Sequence, residues 1–263
     1  MSNLVMGVAV GYTVEQLEPF VISLRKHYKD DVVLFVNMDD ESVVSFLEQN
    51  DVMSVPMPPT IREHVQICNQ RHDIYKEFLL KNFKDTDRIL ICDVRDIVFQ
   101  DDPFKHEKKA ELEFFCESEL IKNDECNGPW WMGGTYGQDV LNELGDHLIV
   151  CAGTTIGTRD GMLTYLDELI KEINRMVEIR GHELQKTRPV VDQVCHNYLI
   201  YTRKFNDYIL YNTGYGPVAT MSFEKDYEFD NDILLNKNGS IPAVVHQWDR
   251  TKHKDVFLRK ALS

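Results

Sequence analysis

The sequence predicts an α/β fold built on a doubly wound, mostly parallel central sheet. Two observations carry this expectation. Short apolar runs alternate with helical periodicities through the first hundred residues, and one of those runs, Ile89–Cys92, is apolar along its whole length and then ends abruptly in acids. A strand covered on both faces reads as such a continuous run.

Leu4–Val10 is the first apolar run, broken at Gly11-Tyr12-Thr13. Leu17, Phe20, Val21 and Leu24 then recur at helical spacing, with Thr13 placed to cap the helix. Val32–Val36 reads as the second strand, Glu41–Gln49 as a short helix and Val52–Val55 as a weak third strand. Pro56 opens a loop, and a long helix follows from about residue 61 to 82, with Cys68, His72, Tyr75 and Leu79 on one stripe. Arg88–Cys92 closes this β-α-β-α-β-α-β series. The second half is less regular. Glu111–Glu117 and Leu148–Cys151 read as strands, Gly161–Ile179 and residues 190–201 as helices, and Ala243–Gln247 as a late strand.

The 263 residues, 43% hydrophobic and 27% charged, suit one folded domain with a sizeable core. A net charge of -14 argues against a nucleic-acid partner or an anionic lipid surface, both of which need a basic face. No apolar run approaches the roughly 20 residues that span a bilayer, so no membrane span is expected. The six cysteines are scattered without a Cys-x-x-Cys pair and read as buried free thiols. Asn238-Gly-Ser240 reads as a turn. With no secretion signal at its start, the chain is expected to be cytoplasmic.

In doubly wound sheets ligands collect beyond the carboxyl ends of the strands. The strongest signal lies there: Ile89-Leu-Ile-Cys92 runs into Asp93-Val-Arg95-Asp96, then Ile-Val-Phe99 and Asp101-Asp102-Pro103-Phe104. Carboxylates are hard oxygen ligands, and a divalent ion needs only one or two of them when phosphate oxygens fill other positions. Here the sequence resembles the GT-A family of glycosyltransferases, whose signature is a short acidic motif at this point. One departure matters: two residues, not one, separate the acids. In a regular strand Asp93 and Asp96 face opposite sides, so both reach one ion only if the backbone bulges or turns. Asp96 is the stronger ligand candidate; Asp93 has ribose or Arg95 as alternative partners.

The resemblance implies a single GT-A domain over 1–263: a Rossmann-like, mostly parallel sheet flanked by helices. Residues 1–105 would form the nucleotide-binding half and 106–263 a less regular acceptor-side half. It further implies a third metal ligand from a late strand, where His246 stands in Val244-Val-His-Gln-Trp-Asp-Arg250. Mn²⁺ or Mg²⁺ is the expected ion, since manganese accepts mixed oxygen and imidazole donors. Lys252 and Lys254 follow closely enough to reach a diphosphate as point charges. Gly11 and Tyr12 would meet the nucleoside.

Other residues keep more than one reading. Asp192-Gln193 opens a helix and resembles the acceptor-side element of these families; Asp192 is either an acceptor ligand or base, or a charge at a helix N-terminus. Gly153, Thr154 and Thr155 form a small-residue stretch that suits close approach to a donor sugar, or a plain turn. Arg71 sits on an apolar helix stripe, so it pairs with diphosphate or Asp93, or snorkels to the surface. Trp130-Trp131 reads as an aromatic loop for the acceptor cleft or as core.

The expected function is metal-dependent transfer of a sugar from a nucleoside diphosphate sugar, UDP-sugar favoured, to a glycan or other hydroxyl acceptor. The Asp-Gln pair and late His look most like retaining families. The alternatives are a phosphatase-like phosphohydrolase and a non-catalytic nucleotide-sugar-binding domain. Against the phosphatase, Arg95 stands where that chemistry wants a second Asp. A sugar nucleotidyltransferase would want a Gly-rich basic loop, which Val8–Thr13 lacks.

Overall fold

The fold was established from a computed structural model describing residues 2–58, 67–187, 191–202 and 204–263, with side chains 181–187 left out. In chain order the elements are β1 (Leu4–Val8), α1 (Val14–His27), β2 (Asp31–Val36), α2 (Glu41–Gln49), β3 (Met53–Pro56) and α3 (Ile67–Lys81). Next come β4 (Arg88–Cys92), β5 (Ile97–Phe99), β6 (Leu112–Leu120), α4 (Gly134–Tyr136), α5 (Gln138–Leu144) and β7 (Leu148–Thr158). The chain closes with α6 (Arg159–Thr187), α7 (Asp192–Tyr201), β8 (Tyr208–Tyr211), β9 (Val218–Thr220), β10 (Glu228–Asp230), β11 (Ile233–Leu235), β12 (Val244–His246) and α8 (Lys254–Leu262).

Seven strands form the central sheet in the order β3-β2-β1-β4-β7-β6-β8. Every neighbour pair is parallel except those made by β7, which runs against β4 and β6. The sheet is therefore mostly parallel, as expected. Alternation along each strand builds two cores. Leu4, Met6, Ile89 and Ile91 pack with Tyr75 and Leu79 of α3 and with α6 and α7. Val5, Leu34 and Leu90 pack with Leu17, Phe20 and Leu24 of α1 and Leu47 of α2. Helices thus cover both faces. Gln16 closes the start of α1 by accepting the Thr13 backbone N–H at 3.0 Å.

A second sheet, β5-β12-β9, places β12 antiparallel to β5, with His246 opposite Ile97. This pairing brings His246, far along the chain, to the end of β4. One strand and one helix end or start differently from the sequence reading. β7 does not stop at Cys151 but runs on to Thr158, and α6 begins at Arg159. The first part of the expected 61–82 helix and residue 190 lie outside the described residues. No described cysteine forms a disulfide; Cys92, Cys116, Cys151 and Cys195 are buried, as expected, while Cys68 and Cys126 are only partly so. Asn238-Gly-Ser240 is a turn, with Gly239 at φ +80° and Asn238 Oδ1 accepting from Ser240. Among the described residues no helix is long and apolar enough to cross a membrane.

Candidate functional site

Strand order reverses between β1 and β4. From β1 the chain moves outward to β2 and β3, and α3 then carries it back to β4 on the other side. The crevice beyond the carboxyl ends of these two strands is where such sheets bind ligands. Gly11 and Tyr12 follow β1, and Asp93–Asp96 follow β4.

β4 ends at Cys92 and β5 starts at Ile97, so Asp93–Asp96 form a turn between strands. That turn removes the strand alternation that would have separated the two acids. The Asp93 N–H donates to the Gly153 carbonyl at 2.8 Å, and the Gln247 N–H donates to the Asp96 carbonyl at 2.7 Å. β7 and β12 thereby hold the turn from both sides. His246 Nε2 stands 3.5 Å from an oxygen of Asp93 and 3.5 Å from one of Asp96. One ligand atom from each of the three residues lies within 4.8 Å of the others.

His246 is buried and its Nε2 makes no hydrogen bond. A buried ring nitrogen that faces two carboxylates yet makes no hydrogen bond is unusual in a folded protein. Two carboxylates and an imidazole form a donor set suited to a divalent cation of the manganese or magnesium kind. The other ring nitrogen, Nδ1, lies 3.5 Å from the Cys151 thiol. With Nε2 as a ligand the ring proton sits on Nδ1 and points at that sulfur, which fixes the ring. The site also leaves no spare room: a Cβ on Gly153 would stand 2.5 Å from Cε1 of His246 and 2.6 Å from Oδ2 of Asp93. Glycine is required here for close approach, not for an unusual backbone angle.

The charges of the cluster act on one another. Burial alone would lower the His246 pKa, but Cys151, Asp96 and Asp93 push it well above the usual histidine range. Burial would raise both carboxyls; Arg71 and His246 instead hold Asp93 low, and His246 and Arg250 hold Asp96 low. The three groups form an anion–cation–anion set whose central proton a divalent ion can replace.

Arg71 of α3 does not snorkel. Its guanidinium donates to Asp93 and, at 2.8 Å, to Asp192 at the start of α7. His72 Nε2 meets the same Asp192 oxygen at 3.0 Å. Asp93 therefore pairs with Arg71 and not with Arg95, which lies 3.7 Å from Asp249. Asp192 is the first residue of its helix, buried and ionised: burial opposes its charge, while Arg71 and His72 lower its pKa. Its position bears out the reading as a charge at a helix N-terminus, and it also lines the larger of the two clefts beside the cluster.

Two clefts meet at Asp93; Asp96 lines one of them and His246 neither. The smaller, about 280 Å³, is lined by Val8, Tyr12, Arg71, Asp93, Arg95 and Asp96 among others. The larger, about 430 Å³, is lined by Asp93, Glu117, Trp131, Gly153, Asp192 and Gln193 among others. Cys68, Arg71, Asp93 and Arg250 belong to both. Tyr12 reaches this field: partial burial, then Asp93, raises its hydroxyl pKa. Gly11 turns the chain with φ +76°, its N–H bound to Asn37.

Several expected residues fall elsewhere. Thr154 and Thr155 are not in a loop. They lie within β7 opposite Cys92 and Ile91 and are fully buried, so neither hydroxyl reaches a sugar. The small side chains that read as a loop serve close packing of β7. Gln193 lines the larger cleft, but its amide is spent on the backbone: it accepts from Ala152 N–H and donates to the Val150 carbonyl, each at 2.8 Å. Asn197, one turn on, binds both backbone groups of Val150. Together they occupy the edge of β7 where β4 has ended. Trp130 is 53% exposed and lines neither cleft, whereas Trp131 lines the larger one.

Lys252 and Lys254 are exposed and line neither cleft. After β12, Gln247 adopts a left-handed conformation (φ 59°) and the chain enters a tight turn over Trp248–Arg250. That turn presents Arg250, 3.3 Å from Asp96, in place of the lysines. Arg250 was readable in the Val244–Arg250 run. Glu117 had a fainter signal, an acid ending the apolar Phe114-Phe115-Cys116 stretch of β6. It is buried in the larger cleft, and burial raises its pKa despite His246 and Arg250.

Comparison of the chain with protein-family models and with curated proteins finds no match.

Proposed function

We propose that the protein is a metal-dependent glycosyltransferase of GT-A type, using a nucleoside diphosphate sugar, UDP-linked by preference. The observation that carries this reading is the Asp93–Asp96–His246 cluster, whose buried Nε2 makes no hydrogen bond and whose Asp93 lines both clefts over the strand-order reversal. A cation pocket with space on either side suits a donor bound across it, nucleoside one way and sugar the other.

In this reading Asp93, Asp96 and His246 hold Mn²⁺ or Mg²⁺. The bound cation would supply charge neutralisation for the diphosphate and for the charge that develops as it leaves. Tyr12 lines the cleft that would take the nucleoside, and Gly11 turns the chain just before it. Arg250, at the rim of both clefts, can reach a phosphate oxygen with a planar guanidinium, and Arg95 flanks the nucleoside side. Arg71 holds Asp93 and Asp192 in fixed relation, so the carboxylate facing the metal and the one facing the acceptor keep their spacing. Asp192 is placed to orient an acceptor hydroxyl.

The test is nucleotide release. The protein is incubated with Mn²⁺ and a panel of UDP- and GDP-sugars, with and without a mixture of hydroxyl acceptors. Metal-dependent release of one nucleotide, increased by an acceptor, supports the reading. Release of inorganic phosphate from phosphomonoesters instead would assign the site to phosphohydrolysis, and no turnover of a bound nucleotide sugar would make it a binding domain.

A further inference from the structure

The larger cleft has a wall that metal and diphosphate chemistry does not use. Glu117, Asp124, Asn127, Trp131, Ser222 and Phe223 all line it. Among the described lining residues the only cations are Arg71 and Arg250, and carboxylates already hold both. Arg71 serves Asp93 and Asp192, and Arg250 serves Asp96 and, in the transferase reading, the diphosphate. Among the described residues neither Glu117 nor Asp124 forms an ion pair; His246 and Arg250 favour the ionised form of Glu117, which its burial opposes. An acceptor bearing phosphate or carboxylate would bring its charge against theirs, within the field of a chain carrying -14 overall. Like charges so placed reject a ligand.

The same wall suits an uncharged polyhydroxyl ring. Hydroxyls can donate to the Glu117 carboxylate, and the apolar face of a sugar can lie on an aromatic ring. Trp131 is the better platform. It packs partly against the main core, next to the buried Met132, whereas Trp130 projects outward. Its segment, Cys126–Gly133, is a π-helical stretch pinned at Gly128, where a Cβ would stand 2.5 Å from the Ile121 carbonyl. Such π-turns recur at functional sites. The ring is thus presented from a fixed backbone.

We infer that the acceptor is an uncharged sugar, held by Trp131 and Glu117, and that Glu117 excludes acidic acceptors. This rests on the transferase reading above. The protein saturated with Mg²⁺ and UDP is titrated, at low ionic strength and with NMR detection, with neutral methyl glycosides. The acidic probes are glucose 6-phosphate and glucuronic acid. At least one neutral glycoside is expected to bind, and Trp131→Ala to weaken it by about tenfold. Glu117→Gln, which keeps shape and hydrogen-bonding capacity but removes the charge, is expected to raise acidic relative to neutral affinity by about tenfold. UDP affinity should be unchanged in both variants, which also shows that they are folded. Equal or tighter binding of the acidic probes to the unaltered protein, no binding of any neutral glycoside, or variants without these effects would overturn the inference while the transferase reading stands. Failure of Mg²⁺ and UDP to bind at all overturns both.

Discussion

Gly153 and His246 are packed so closely that a single added carbon cannot stand between them: a Cβ on Gly153 would lie 2.5 Å from Cε1 of the imidazole. Gly153 sits inside β7 and is tied to the end of β4 by its carbonyl, while His246 is buried on β12. Neither backbone can retreat without breaking a strand pairing. Gly153→Ala should therefore displace the imidazole, cost about 1–3 kcal/mol by overpacking, and abolish metal-stimulated activity. Thermal unfolding beside a Mn²⁺ titration checks both effects; an alanine variant with unaltered metal affinity would remove Gly153 from the site.

Asp96→Ala and His246→Ala should each eliminate metal-stimulated turnover, and a chelator should do the same to the unaltered protein. In each variant the remaining members of the cluster lose a charge partner, so a drop in melting temperature is also expected. Activity assays over a Mn²⁺ series measure this. Full activity in Asp96→Ala would contradict the assignment.

Arg250 and the two lysines separate cleanly. Arg250→Ala is expected to weaken UDP binding by about 1.5–3 kcal/mol, the scale of a hydrogen bond to a charged group. Lys252→Ala and Lys254→Ala, exposed and outside both clefts, should stay close to the parent. Nucleotide titration of the three variants decides the matter.

The parallel half of the sheet was legible because its signals are local. Leu4–Val8, Asp31–Val36 and Arg88–Cys92 are apolar runs with Gly or Asp breaks, and α1 and α2 carry clear periodicity. The acids after β4 were legible for the same reason. What escaped depends on contacts distant in sequence. The Cys151–Gly157 stretch looks like a loop by composition, and only its pairing with β4 and β6 makes it strand. Arg250 stands in the Val244–Arg250 run, but that it and not Lys252 or Lys254 faces Asp96 depends on the left-handed turn at Gln247, which residue order does not show. Glu117 sits in a strand that reads as ordinary core; its role depends on which cleft β6 borders.

Gln193→Ala leaves the Ala152 N–H and Val150 carbonyl without their side-chain partner. The expected cost is about 1–3 kcal/mol in stability, with nucleotide affinity close to the parent. Asp192→Asn should behave differently. It removes the charge shared by Arg71 and His72, so transfer should fall more than donor binding. Comparing kcat with the UDP dissociation constant distinguishes the two, and loss of donor affinity alone would move Asp192 out of the acceptor side.

Acid sensitivity should trace in part to His196. Its imidazole is fully buried against Tyr165, and burial lowers its pKa to about 3. An unfolded histidine titrates near about 6.5. Between those values the unfolded chain takes up a proton that the folded chain refuses, so stability falls as pH drops below about 6.5. From pH 7 to pH 5 this residue contributes a loss of about 2 kcal/mol. Denaturant midpoints at the two pH values should show a smaller difference in His196→Gln; an unchanged difference would assign the acid sensitivity to other groups.

The most direct test of the central claim is calorimetric titration of UDP and GDP into the protein with and without Mn²⁺. The Asp93–Asp96–His246 cluster predicts that one nucleotide, UDP first, binds only when the metal is present, and that His246→Ala loses this dependence. Binding of neither nucleotide in the presence of Mn²⁺, or equal binding without it, would contradict a metal-held diphosphate at this site.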